Sequence, residues 1–479
     1  MAAKENLNDP HFVVVGHPNK GKSTIVSTLA CDSSVEVDAT PGTTQTCQSY
    51  PMRLGERVLY TLVDTPGFQR PRRVLEYLKS EIPPLPGRIS RFAELLNDPN
   101  SGKLFPEEIE ILSSIMYPDA GIIYVVDGSV PYSIEYEPEM EILQWSGKPR
   151  MALINPILGE HFITEWERAL RHFFGIVKIF NPVTSQFNVK IDLLRAFEHL
   201  DSSWSSALRS AQSALLANRV IQEEQTASAI AEALIAARHI QVSTPISTNL
   251  EEGALQEKLT LLIKTELNKI ENLCWKSIDE IFHHTSLSIL KQDMSVLEHE
   301  LFSKESIRLF GLTKAQISIM GLASGGTAGA LLDMTIGGTS LLAGSALGAG
   351  LGAISATLGA NRLLKFRRLR LPIGSLTIGS HKMVARLSDN LNIAFILLSR
   401  AITYYSIISE RAHGNRSSIH YEHIKPPTFD IAKLNTLKRL LRNSRTGVIN
   451  EKAGTEIAGI ILELIRCIQS NQMMDKAGN

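Results

Sequence analysis

The chain has 479 residues, 44% of them hydrophobic, and Lys+Arg and Asp+Glu are equal at 49 each. That length suits two or more domains with a sizeable core, and zero net charge gives no electrostatic ground for wholesale nucleic-acid binding, so no nucleic acid is expected. Cys31, Cys47, Cys274 and Cys467 show no C-x-x-C spacing, which speaks against a disulfide framework or zinc site and for a reducing cytoplasm.

The N-terminus is polar and then briefly apolar, too short a run for an export signal. Its HFVVV (11–15) reads as a buried parallel strand. GHPNKGKS (16–23) follows and fits G-x-x-x-x-G-K-[ST], with a helix next. Strand, glycine turn and helix N-terminus are the setting a P-loop needs. Gly16, Asn19, Lys20, Gly21, Lys22, Ser23 and Thr24 form the expected phosphate-binding set. The glycines admit backbone N–H groups to phosphate oxygens, Lys22 adds charge, and the Ser23 hydroxyl can ligate Mg2+.

RVLYTLVDTPG (57–67) is a second strand, ending in Asp64-Thr65-Pro66-Gly67. An Asp at a strand end beside a P-loop is placed to hold the Mg2+ shell, and the Gly67 N–H can approach a γ-phosphate. Between the two lies DATPGTTQT (38–46). GHPNKGKS, PGTTQ and DTPG together resemble the Era-like and TrmE-like bacterial GTPases of the translation-factor class, over roughly residues 11–190. The resemblance implies an α/β P-loop GTPase domain, mostly parallel sheet with helices on both faces, that binds GTP or GDP with Mg2+. It implies Thr44 as a switch I ligand of Mg2+ beside Ser23 and Asp64, and Lys22, Thr44 and Gly67 as the catalytic set. Relatives carry a hydrophobic residue where Phe68 stands, which implies slow intrinsic hydrolysis. In TrmE-like relatives an asparagine matching Asn19 helps bind K+; the alternative is that Asn19 only shapes the loop.

About fifty residues separate Gly67 from the next strand, GIIYVVDGS (121–129). RVLEYLKSEI, PGRISRFAELL and PEEIEILSSIM read as helices, NDPNSGK (97–103) as a turn, and the whole (about 68–118) as a helical insertion in switch II. It is a candidate effector or homodimer surface, or a passive decoration. MEILQWSG reads as a helix and KPRMALINPI as the strand after it. Asn155 aligns with the first residue of the family's N-K-x-D guanine reader, but Pro156 and Leu158 replace Lys and Asp. Glu160 lies two residues beyond and offers a substitute carboxylate. Thr184 and Ser185 stand where the family's last guanine motif falls.

Beyond residue 200 the pattern is helical: 204–240 without Gly or Pro, a break at VSTPISTN (242–249), and a helix near 250–284. Residues 315–361 carry Asp333 as their only charge and glycines every four residues, at 321, 325 and 329 and again at 344, 348 and 352. Such spacing lets helix backbones approach closely. Arg362, Lys365, Arg367, Arg368 and Arg370 follow, a basic flank suited to an anionic leaflet. The segment is expected either to enter a bilayer or to pack as a glycine-zippered hairpin in a soluble bundle. His283-His284 and His413, His420 and His423 read as solvated positions without a metal pattern.

The expected organisation is a GTPase domain over 1–200, a helical region over 201–310, a glycine-zipper hairpin with basic flank over 311–370 and a helical region over 371–479, making the C-terminal part all-α. The expected function is Mg2+-dependent GTP hydrolysis that switches the helical part, in the cytoplasm and at the cytoplasmic face of the membrane through 315–370. Two alternatives stand: a nucleotide-controlled scaffold with little hydrolysis, and a ribosome-associated GTPase.

Overall fold

The computed structural model describes residues 10–30, 46–54, 57–80, 84, 87–183, 185, 187–246, 251–282, 364–370, 381–387, 391–410, 429–443 and 451–477. Thr44, Thr184, the glycine-rich segment and the five histidines just named lie outside them. The chain divides into two compact units, with the division at Arg219/Val220 and Glu410 assigned to the first.

The first unit is an α/β P-loop fold. Its six-stranded sheet runs β2-β3-β1-β4-β5-β6, with β1 His11–Val15, β2 Gln48–Leu54, β3 Arg57–Asp64, β4 Ala120–Asp127, β5 Arg150–Asn155 and β6 Ile176–Ile179. Every pairing is parallel except β2 with β3. The β-branched run of β1 explains its central place, since a strand buried on both faces needs apolar residues at every position. Phe12 and Val14 enter one core layer, Val13 and Val15 the other. The first layer is covered by α1 Lys22–Ala30 and α8 Phe187–Glu198.

The second layer is covered by the switch II insertion: α2 Pro71–Lys79, α3 Gly87–Asn97, α4 Pro99–Leu104 and α5 Pro106–Ile115, with α6 Glu137–Trp145 and α7 Ile163–Leu170. Val74, Leu78, Phe92, Leu95, Ile111, Leu112 and Ile115 are buried in the same cluster as Val13 and Ile122. The insertion is therefore part of the core of its unit. The expected turn at 97–103 is helical instead. Asp98 caps α4 by accepting from the Asn100 N–H at 2.9 Å, and Pro99 sits at N1.

The second unit is mostly helical: the end of α9 Ser205–His239, α10 Glu252–Ile281, α11 Asn392–Glu410, α12 Ile431–Asn443 and α13 Glu451–Ala477. It also holds a three-stranded antiparallel sheet, β7-β9-β8, from Gln241–Pro245, His381–Leu387 and Leu364–Arg370. Two expectations change here. The break near 242 begins with a strand, and most of the basic flank is strand β8, with Lys365 opposite Arg386 and Arg367 opposite Val384. Alternation explains it: Leu364 is buried and Lys365 exposed, so LKFRR has the period of a half-buried strand.

One helix among the described residues, Ile393–Glu410, is long and apolar enough to cross a membrane, and 83% of it is buried inside the fold. It is the core helix of its unit. The buried Arg400 forks onto Glu271 at 2.6 and 3.0 Å and stacks over Trp275, satisfying a charge that a hydrocarbon environment would leave costly.

Candidate functional site

The P-loop joins β1 to α1, and its lysine is held by the loop's own carbonyls. Lys22 Nζ donates to the Gly16 carbonyl at 3.2 Å and the His17 carbonyl at 2.9 Å. Its burial lowers the ammonium pKa to about 8, against the pull of the Asp64 and Glu139 carboxylates. Ser23 Oγ donates to Asp64 Oδ2 at 2.6 Å, so the first turn of α1 and the end of β3 converge on one point. Two hard oxygen donors beside a buried lysine fit Mg2+, and Ser23 and Asp64 are the residues that would hold it.

Gly21 and Gly67 are sterically required. Gly21 has φ +82°, and a Cβ there would lie 2.4 Å from Asn155 Nδ2. A Cβ on Gly67 would lie 2.4 Å from the Pro18 nitrogen, so switch II starts in backbone contact with the P-loop. Asn19 is exposed with φ 62°, a conformation that asparagine tolerates better than most residues. Thr24 is half-buried on α1.

Phe68 is buried in the sheet core and cannot orient a water. The Gln69 side chain folds back, donating from Nε2 to the Gly67 carbonyl at 3.3 Å. The turn is held from α5: the buried Glu108 accepts the backbone N–H of Gln69 at 3.0 Å and that of Arg70. Arg70 is the N-cap of α2, which has Pro71 at its first position and no side-chain cap of its own. Glu108 thus supplies from another helix the anion that the α2 N-terminus lacks. Two residues on, Glu110 accepts the Cys47 N–H at 2.6 Å. Three buried aliphatics on α5, Ile111, Leu112 and Ile115, at roughly 1.5–3 kcal/mol each, seat the helix in the core of its unit.

Charge gathers under the loop as well. His17 Nδ1 lies 2.8 Å from Oε1 of the fully buried Glu139, whose other oxygen accepts from Tyr124 Oη at 3.0 Å. Lys20 Nζ is 3.7 Å from Asp127 at the end of β4. A cleft of about 650 Å³ opens beside the loop, lined by His17, Gln69, Arg70, Arg72, Arg73 and Glu135. Sequence reasoning missed Glu108, Glu110, Asp127 and Glu139. Glu108 was findable: with Ile111, Leu112 and Ile115 it occupies i, i+3, i+4 and i+7, an acid on the buried stripe.

The base end is assembled differently. Asn155 is buried at the end of β5, and its Nδ2 donates to the Lys20 carbonyl at 3.1 Å. That ties the base-side strand to the P-loop. Leu158, in place of the guanine-reading Asp, is 85% exposed, and Glu160 is exposed beyond it. Asn181 Nδ2 donates to the Pro156 carbonyl at 3.4 Å, and the Ser185 N–H donates to the Asn181 carbonyl at 2.9 Å. The two base-side loops are therefore linked. Among the described residues no group of three or more His, Cys, Asp or Glu could hold a metal.

Residues 11–155 match the family described as 50S ribosome-binding GTPase, and residues 168–456 match the domain of unknown function DUF3482. GTPase Der of Azoarcus sp. (strain BH72) is 42% identical over 67 residues, which is 14% of this chain and 15% of that protein. Der of Paenarthrobacter aurescens (strain TC1) is 27% identical over 149 residues, 31% of this chain and 24% of that protein. The chain thus spans only a small part of the length of these curated relatives. Aquifex aeolicus Era bound to GDP·AlF4− aligns at 14% identity over 57% of this chain and 89% of that chain, with a TM-score of 0.26. Era in complex with MgGDPNP and part of 16S ribosomal RNA aligns at 13% and 0.26. The ribosome-binding description of the N-terminal family runs against the expectation that excluded nucleic acid. That exclusion rested on net charge, and a balanced total says nothing of local faces: Lys365, Arg367 and Arg386 line one cleft on the small sheet.

Proposed function

The chain belongs to the DUF3482 family and carries a P-loop GTPase domain ahead of that region, and from this premise we propose that it is a cytoplasmic GTP-hydrolysing switch that associates with the ribosome. The observation that carries the reading is the 2.6 Å contact of Ser23 with Asp64 beside the anchored Lys22. Lys22 and the P-loop amides would hold the phosphates; Ser23 and Asp64, with Thr44 as the resemblance implies, would hold Mg2+, which would offset phosphate charge. Phe68 is locked in the core and the Gln69 side chain is turned back onto the Gly67 carbonyl, so neither orients a water and turnover by the chain alone is slow. K+ at Asn19 and a homodimer through the switch regions are the two accelerators this reading allows.

Guanine preference rests on Asn155, the 180–186 loop and Glu160. Phosphate release from GTP and ATP, with and without K+, tests the enzyme. Tight GTP binding without release favours a nucleotide-controlled scaffold. Co-sedimentation with ribosomes in the presence of a non-hydrolysable GTP analogue tests the partner; a chain that stays in the supernatant with every nucleotide rejects it. Flotation with anionic liposomes, comparing the full chain with one lacking 315–370, tests the membrane reading; equal behaviour rejects it.

A further inference from the structure

We propose that α5 is a clamp on both switches, with Glu108 and Glu110 as its positioning residues. The inference rests on the GTPase reading for its consequence but not for its geometry. Glu108 holds the Gln69 and Arg70 N–H groups, immediately after the Gly67 turn that touches the P-loop. Glu110, on the same helix, holds the Cys47 N–H, at the start of β2 where the switch I segment ends. The Cys47 thiol lies 3.9 Å from the Glu110 carbonyl, and Arg70 reaches the Leu104 carbonyl at 3.2 Å, so each switch end has a second contact to the insertion.

Glu108 is fully buried, and its Oε2 has no hydrogen-bond partner among the described residues. A buried carboxylate with an unsatisfied oxygen is a costly placement. Its return here is that one helix addresses both segments that a γ-phosphate would order. A γ-phosphate that draws the Gly67 N–H forward must move or strain the Gln69 and Arg70 N–H groups. Because α5 is seated on the sheet, that strain passes along one rigid element to Cys47. Switch I and switch II then respond as a unit, and the insertion is the surface that reports the nucleotide state.

The test is residue-resolved hydrogen exchange on the full chain for wild type, E108A, E108Q and E110Q, without nucleotide and then with GDP or a non-hydrolysable GTP analogue. E108Q keeps the packing volume and one acceptor oxygen, and carries the test if E108A does not fold. Without nucleotide, the Glu108 variants are expected to speed exchange at Cys47 as well as at Gln69 and Arg70, and E110Q to speed it at Gln69 and Arg70 as well as at Cys47, by about fivefold or more where the acceptor is removed (E108A) and by less where an amide oxygen replaces the carboxylate one (E108Q, E110Q). With nucleotide, the same variants are expected to weaken the GTP analogue about tenfold and GDP less than threefold. Loosening confined to the variant's own switch, or equal loss for both nucleotides, overturns the clamp. A wild-type chain that binds no guanine nucleotide sinks the GTPase reading instead, and the nucleotide-free exchange still decides the clamp.

Discussion

The phosphate end and the base end of the site share one sheet yet are built by different means. At the phosphate end, most groups come from contiguous residues between β1 and α1, where Lys22 folds onto the loop's own carbonyls, and Asp64 joins them from β3. At the base end, two separate loops must meet, and side chains at 158 and 160 stand in water. The first needs only local chain geometry to be preserved. The second depends on particular side chains, so it can drift without disturbing the fold. Asn155 is the joint between them, through its hydrogen bond to the Lys20 carbonyl.

The comparison can be broken most severely at Lys22. Lys22→Ala removes a cation that contacts the loop and would contact the phosphates, and at roughly 1.5–3 kcal/mol per charge-assisted bond it is expected to weaken GTP and ATP alike by about 100-fold or more. A calorimetric titration showing a loss under tenfold would contradict the assignment. Gly21→Ala strikes the joint: a left-handed backbone costs a Cβ-bearing residue about 1–2 kcal/mol, and the new methyl meets Asn155 Nδ2, so a loss of about thirtyfold in affinity is expected with the melting temperature lowered only modestly.

A pH titration separates the ends without mutation. In the folded chain Lys22 titrates near 8, against an ordinary lysine value of 10.5. Between those values the unfolded chain holds the proton and the folded chain does not, so this group's contribution to stability rises with pH across that window. Phosphate binding runs oppositely, since it needs the charged amine. Affinity is expected to be flat below about 8 and to fall above it, by at most about tenfold per pH unit. A titration that stays flat to pH 9.5 would show that Lys22 does not meet the phosphates.

The base end responds to smaller changes. Leu158→Asp restores the missing carboxylate on an exposed loop, and GTP-over-ATP selectivity is expected to rise about tenfold. Glu160→Ala is expected to lower selectivity by about threefold, roughly 0.7 kcal/mol, since the carboxylate is exposed and screened. Selectivity unchanged by Glu160→Ala removes Glu160 from the reader.

The same contrast explains what could be read from the residues alone. β1, the P-loop and the DTPG strand were legible because their motifs and periods are contiguous, and the structure gives β1 the bounds that HFVVV implies. The four helices that cover one sheet face were only partly so. NDPNSGK looks like a turn until Asp98 is seen capping it, and Glu108 looks like an ordinary first-turn acid until its partners, some forty residues earlier, are in place. Strand β8 was misread because LKFRRLR has a basic composition that drew attention from its alternation. Its partner β9 starts only at His381, and pairing across distance leaves no local trace.

The small sheet has a consequence in time. β7 pairs with β9, Gln241 opposite Arg386, so its hydrogen bonds cannot form until the chain has been synthesised through β9. The first unit's sheet, by contrast, is complete in sequence by Ile179. Closing so long a loop before any contact rewards it is slow, and meanwhile β7 presents an unpaired edge next to an already formed long helix. On the ribosome, the nucleotide-binding sheet has all six of its strands while the second unit still waits for the strand that closes its sheet.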